Sequence, residues 1–163
     1  VLGGVGEVAV SEIDDSVSAF STTPARYTMT RELNWVAAAR ARAGYAITNL
    51  LFYGTAGFAW ADVEHSFSTS NGVNTFTESG DDEASGYQLG GGVEWNLGGN
   101  WRLGGEYIYT NLDDDDYTVR ASGPAPVTNP FILVNADGTD FRRSDEEFEF
   151  DSARVTLTYR FGG

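Results

Sequence analysis

Eight charged residues recur on the polar side of stretches that alternate between apolar and polar positions: Glu7, Arg40, Arg42, Glu94, Arg102, Glu106, Arg154 and Arg160. Five guanidinium and three carboxylate groups in this arrangement have two uses. Outside a soluble sheet they would be an ordinary solvated surface. Inside a narrow barrel they would have to be paired or strongly hydrogen-bonded, because an uncompensated charge is costly away from water. Arginine suits the second use better than lysine, since its planar fork grips a carboxylate bidentately. Glu94 and Glu106 lie on stretches joined by a tight turn, so they are expected to share Arg102 and Arg40 or Arg42. The two surplus arginines then call for a carboxylate from strands outside this chain, or for water at a rim.

Other candidate chemistry fails on context. His65 stands between Glu64 and Ser66, but nothing marks a nucleophile elbow or a set of oxyanion donors, so it reads as a surface residue. Gly90-Gly91-Gly92 lies inside a strand pattern with no helix after it, which rules against a dinucleotide loop and favours room for neighbouring side chains. Asp113 to Asp116 and Asn135 to Asp140 carry calcium-ligand residue types. Leu133, however, stands where the first ligand of an EF-hand loop belongs, so a solvated charge run and an Asp-Gly turn are the simpler readings. Catalytic residues, a metal site and a cofactor are therefore not expected.

Composition narrows the class. The chain has 163 residues, one domain by length, with 24 Asp and Glu against 10 basic residues, all Arg, for a net charge of −14. That balance argues against a nucleic-acid partner, which needs a basic footprint. Cysteine is absent and histidine single, which excludes disulfides, thiol chemistry and multi-histidine metal sites. No run of about 18 apolar residues exists, so no transmembrane helix is expected. Transmembrane strands escape that test because they alternate apolar and polar residues. Abundant glycine (20) and aromatic residues (10 Phe, 8 Tyr, 4 Trp) suit an antiparallel sheet with close packing and aromatic girdles. Val1 opens directly on an alternating stretch, so a secretory leader is expected to have been removed or to lie outside this chain.

Six segments show the period of two that marks strands: 1–12, 32–48, 51–64, 86–97, 101–110 and 151–161. The Ala-rich stretch 37–43 has helical propensity, but only a strand puts Arg40 and Arg42 on one face and Leu33, Trp35, the alanines, Tyr45 and Ile47 on the other. Connections are short near 48–50 and 98–100 and long and polar at 13–31, 65–85 and 111–150. Such alternation is the layout of an up-and-down transmembrane barrel. Within the last gap, Asp137-Gly138 predicts a hairpin between 131–134 and 139–143.

On the apolar faces, aromatic residues recur at a girdle spacing. Trp35 and Tyr45 are ten apart; Phe52 and Trp60, Tyr87 and Trp95, and Trp101 and Tyr109 are each eight apart. At a rise of roughly 3.3 Å and a tilt of roughly 40°, such spacings cover about 20–25 Å, the height of a lipid-facing band. Tyr159 and Phe161 extend the set on the last segment.

The stretches Leu33-Asn34-Trp35, Arg40 to Ala46, Tyr53 to Trp60, Gly86-Tyr87 with Gly90 to Glu94, Asn100 to Leu103 with Glu106 to Thr110, and Val155 to Phe161 carry a resemblance covering about two-thirds of the chain. In this order they resemble the small outer-membrane β-barrel proteins of Gram-negative bacteria, the porin-family or opacity-type proteins. Among these the similarity is greatest to alphaproteobacterial surface antigens, distant kin of the transmembrane domain of outer membrane protein A. The resemblance implies eight strands and a closing aromatic read by the assembly machinery. Phe161 fits that role, although Gly162 and Gly163 follow it. Segment one corresponds to the family's third strand, so the expectation is a single all-β, antiparallel domain over 1–163 that lacks the first two strands. An open edge is not viable in lipid, so the missing strands must come from more of the same polypeptide or from another chain.

The expected function is that of a non-catalytic barrel of the bacterial outer membrane, plugged by the Arg/Glu interior. It would serve the cell envelope and surface interaction through acidic loops, in contact with lipid and lipopolysaccharide. Protein partners through the loops or through lateral barrel contacts, and the oligomeric state, stay open. The alternative is a narrow porin-like channel for small solutes. A soluble lipid carrier would need an apolar interior, and a barrel enzyme would rest on His65 alone.

Overall fold

The computed structural model describes residues 1–21, 25–80, 82–114, 117–123, 128–144 and 147–159. These residues are all-β. The long strands are β1 (Leu2–Phe20), β2 (Arg26–Ile47), β3 (Leu50–Thr69), β5 (Glu83–Gly98), β6 (Trp101–Asp113) and β9 (Glu147–Tyr159). They form one antiparallel sheet in the order β1-β2-β3-β5-β6-β9. The short strands β4 (Thr75–Ser79), β7 (Thr118–Ser122) and β8 (Thr139–Phe141) form a second sheet, in the order β4-β7-β8. The long sheet curls until Arg154 of β9 meets Glu7 of β1 across its concave side. Among the described residues, the backbones of these first and last strands do not pair with each other.

The strands run well past the predicted segments. A tilted strand needs about 9–11 residues to cross a bilayer, whereas β1, β2 and β3 have 19, 22 and 20. The expected loop 13–31 is therefore mostly strand, paired from Ile13↔Leu33 to Phe20↔Arg26. The expected loop 65–85 holds the end of β3, all of β4 and the start of β5. The expected loop 111–150 holds β7 and β8. The cause is compositional. Ser16, Ser18, Thr28, Thr30, Ser66 and Ser68 look like loop residues, yet they are the water-facing half of an alternation whose other half is Tyr27, Met29, Arg31, His65 and Phe67. Asp115 and Asp116 of the acidic run at 113–116, and Asp145 and Glu146 of the cluster at 145–147, lie outside the described residues.

A bulge corrects one face assignment. The register shifts between Val10 and Ile13 on β1 and between Leu33 and Trp35 on β2. The extra residue inverts the parity of every side chain beyond it. Leu33, expected beside Trp35 on the outer face, is instead fully buried on the concave side.

The expected hairpin around Asp137-Gly138 forms differently. Residues 131–134 make turns, held where Asn129 accepts from the Phe131 N–H. The strand after Gly138 pairs with β7 through Val119↔Phe141 and Ala121↔Thr139. Phe131 is taken up as a side chain, edge-on to Tyr27 and to Phe141, and this contact replaces a strand ladder. The small sheet thus packs into the mouth of the large one: Tyr117, Val119, Phe76 and Phe141 cover Met29 and Phe67. It forms a lid.

At the opposite end, two tight hairpins close the strands. Ile47 pairs with Leu50 around Thr48-Asn49, and Gly98 pairs with Trp101 around Gly99-Asn100. Gly98 and Gly99 supply the positive φ that the second turn needs, at 99° and 60°. Thr48 adopts φ 52°, a region costly for a β-branched residue. Replacing it with glycine removes that strain, so Thr48→Gly should stabilise the folded protein by about 1 kcal/mol in urea unfolding.

Candidate functional site

The concave face is built in layers, each set by the inward half of the strand alternation. Nearest the tight turns lies the charged layer. Arg40 of β2 is buried, donates to Glu7 at 2.8 Å, and has its other terminal nitrogen 3.7 Å from Glu106. Glu7 also accepts from Arg154. Arg42 donates to Glu94 at 2.7 Å, and its guanidinium lies 3.4 Å above the centre of the Tyr53 ring. Six of the eight charged residues singled out by alternation therefore meet as ion pairs. The pairing differs in one respect. Arg102 is exposed at the rim and has no carboxylate within 4 Å among the described residues, because Glu94 turns to Arg42 and Glu106 to Arg40. Arg160 lies outside the described residues.

Small residues make this layer fit. Gly92 faces inward beneath Tyr53, and a Cβ there would stand 2.4 Å from the Tyr53 hydroxyl and 2.5 Å from the Gly105 carbonyl. Gly92 of the triple glycine thus makes room for the ring that carries Arg42.

Next comes a polar step in which Gln88 donates to the Thr110 hydroxyl at 3.0 Å, both buried. An apolar layer follows: Leu33, Val36, Ala38, Ala59, Ala61, Val63, Ala84, Leu112 and Phe148 form one buried cluster. Alternation predicted an inward face here, but the bulge decides that Leu33 and Val36 both fill it.

Beyond it lies a second charged layer that sequence reasoning missed. Arg31, buried, donates to Asp114 at 3.1 Å and to the Glu147 carbonyl at 3.0 Å, and lies over the Phe148 ring. Asp15 accepts from Arg143 at 2.5 Å and from Arg31 at 3.4 Å. His65, expected at the surface, is 3% exposed in its side chain, with Nε2 3.0 Å from Asp114. These residues fell in stretches assigned to loops. The available signal was the alternation Tyr27, Met29, Arg31, Leu33, continuous with the strand already recognised.

On the convex face, the ladders align the aromatic residues in two rows. Tyr45 pairs with Phe52, and Trp101 with Tyr159, the latter rings 4.9 Å apart; Trp95 sits opposite Leu50 between them. Toward the lid, Trp35 pairs with Asp62, Trp60 with Ala37, and Tyr87 with Phe58, while Tyr109 pairs with Leu89 and packs against Tyr87. Phe161 lies outside the described residues. Between the rows, Val93, Leu89, Leu103 and Val155 are exposed, an apolar surface far too continuous for a face meeting water.

Two substitutions test the interior. Arg40→Leu leaves Glu7 and Glu106 without their shared cation and should destabilise the folded state by about 3–5 kcal/mol in urea titrations. Gly92→Val must displace Tyr53 or the β6 backbone and should cost about 1–3 kcal/mol in the same assay.

The comparisons with known proteins agree with this architecture. The family model described as outer membrane protein beta-barrel domain matches residues 5–161. The 31 kDa outer-membrane immunogenic proteins of Brucella melitensis and Brucella suis are each 28% identical over 162 residues, 99% of this chain and 59% of theirs. The 22 kDa outer membrane protein of Rhizobium leguminosarum is 37% identical over 83 residues, 51% of this chain and 36% of that protein. The chain thus spans under two-thirds of the length of the curated relatives it matches. No solved structure matches. With an antiparallel sheet curled around a charged interior and an apolar belt turned outward, the chain belongs to the outer membrane β-barrel domain family and is an outer-membrane protein.

Proposed function

We propose that this protein is a non-catalytic, non-conducting barrel that serves envelope structure and surface interaction through the acidic segments at its lid end. The observation that carries this reading is the layering of the interior. A conducting path would have to cross the Arg40 ion pairs, then the apolar cluster around Leu33 and Val63, then the Arg31 ion pairs. An eight-stranded barrel is only wide enough for side chains to fill it, and here inward side chains occupy each level. The two aromatic rows sit at the lipid–water boundaries in this reading, with lipopolysaccharide around the lid-side row. The edges of β1 and β9 are closed by two further strands, since unpaired backbone groups cost several kcal/mol each in lipid.

One observation favours a narrow channel as the second reading. Arg102 has no carboxylate within 4 Å among the described residues and lines a cavity with Glu94, Asn96 and Asn49, an opening at which a small solute could enter.

Planar-bilayer recording with the protein from outer membranes separates the two. The expected result is no steady single-channel conductance; a stepwise, salt-dependent conductance that Arg102→Ala alters would overturn the plugged reading in favour of the channel. Intact mass of the same material tests closure. A mass several kilodaltons above 17.6 kDa is expected, and 17.6 kDa with Val1 at the start would turn the search to a second chain.

A further inference from the structure

His65 is the single histidine of the chain, and it sits where the barrel wall meets the lid. It lies on β3, five residues beyond Trp60, outside the span between the aromatic rows. Its imidazole stacks on Tyr117, ring centres 4.5 Å apart and planes 12° from parallel. Tyr117 immediately precedes β7 and donates to Glu78 of β4 at 2.6 Å, so the ring under His65 is fastened to both of these lid strands. Beyond β6, Asp114 lies 3.0 Å from Nε2; before β5, Asp82 lies 3.9 Å from Nδ1. From β2, Arg31, the register partner of His65, shares Asp114 and also reaches Asp15, which Arg143 holds from the far side.

From this arrangement we infer that His65 is an acid-strengthened latch: its protonation clamps the β4-β7-β8 lid over the mouth of the barrel. Imidazolium gains a charged pair with Asp114 and Asp82 and a cation–π contact with Tyr117, none of which neutral imidazole makes at full strength. Arg31 and Arg143 are balanced by Asp15 and Asp114, so Asp82, 3.9 Å from Nδ1, is the carboxylate that offsets the added charge. Two lid contacts keep their charge state through mild acid. Burial, then Glu78, pushes the Tyr117 phenol above its ordinary range, so it stays neutral and donating. Arg120 holds the Asp140 carboxyl below the usual carboxylate range, so that pair stays intact in mild acid. The latch stands whether or not the barrel conducts.

Hydrogen exchange of the whole protein folded in lipid vesicles tests this. Between about pH 7.5 and about pH 5.5, amide protection in β4 and β7, corrected for intrinsic exchange, should rise about fivefold or more in wild type. His65→Gln should keep the neutral-pH protection and lose the rise; Asp114→Asn should also lose it. The amides of β2 and β3 between the aromatic rows report whether each variant is folded. A flat wild-type response overturns the inference, as does an undiminished rise in either folded variant.

Discussion

Glu7 accepting from both Arg40 and Arg154 is the contact on which the geometry turns. Strands β1, β2 and β9 stand at the two ends of the sheet order, and one carboxylate on the concave side joins them. Arg40 is buried, where its charge would be costly alone. Held together, these side chains require the sheet to curl far enough for its extremes to meet. The curl turns the opposite face outward all round, and that face is apolar.

The result inverts a soluble protein only in part. Near the tight turns the interior is charged and the exterior greasy. Farther along, the interior becomes apolar around Leu33, Val63 and Leu112, then charged again around Arg31, then aromatic beneath the lid. Charged layers fix register, because a guanidinium paired with a carboxylate two strands away tolerates no slip. The apolar layer between them excludes water, which strengthens the ion pairs on either side. Each layer therefore depends on its neighbours, and Gly92 shows how closely: a missing side chain on β5 seats Tyr53 of β3, which carries Arg42 of β2, which binds Glu94 of β5 again.

The strands also outrun the aromatic rows. Beyond the lid-side aromatic row they continue as a water-exposed extension with serine and threonine outside and aromatic residues within. The lid caps that extension through Tyr27, Phe76, Phe131 and Phe141.

By itself the sequence determined the all-β antiparallel fold class, and the alternation that marks most of each long strand, because a period of two and side-chain polarity are local properties. It also determined the tight turns, through Gly98-Gly99. Only the tertiary structure decided which arginine meets which carboxylate, since Arg102 and Arg42 are equally plausible for Glu94 until the curl brings one of them in. It likewise decided where the alternation inverts. A bulge costs one residue in the chain, leaves no compositional mark, and sends Leu33 inward and Trp35 outward. Polar residues beyond the aromatic rows read as loop for the same reason: serine and threonine suit a turn and a hydrated strand alike. The ladders of β1, β2 and β3, formed between residues distant in the chain, settle that choice, and with it the burial of Arg31 and His65.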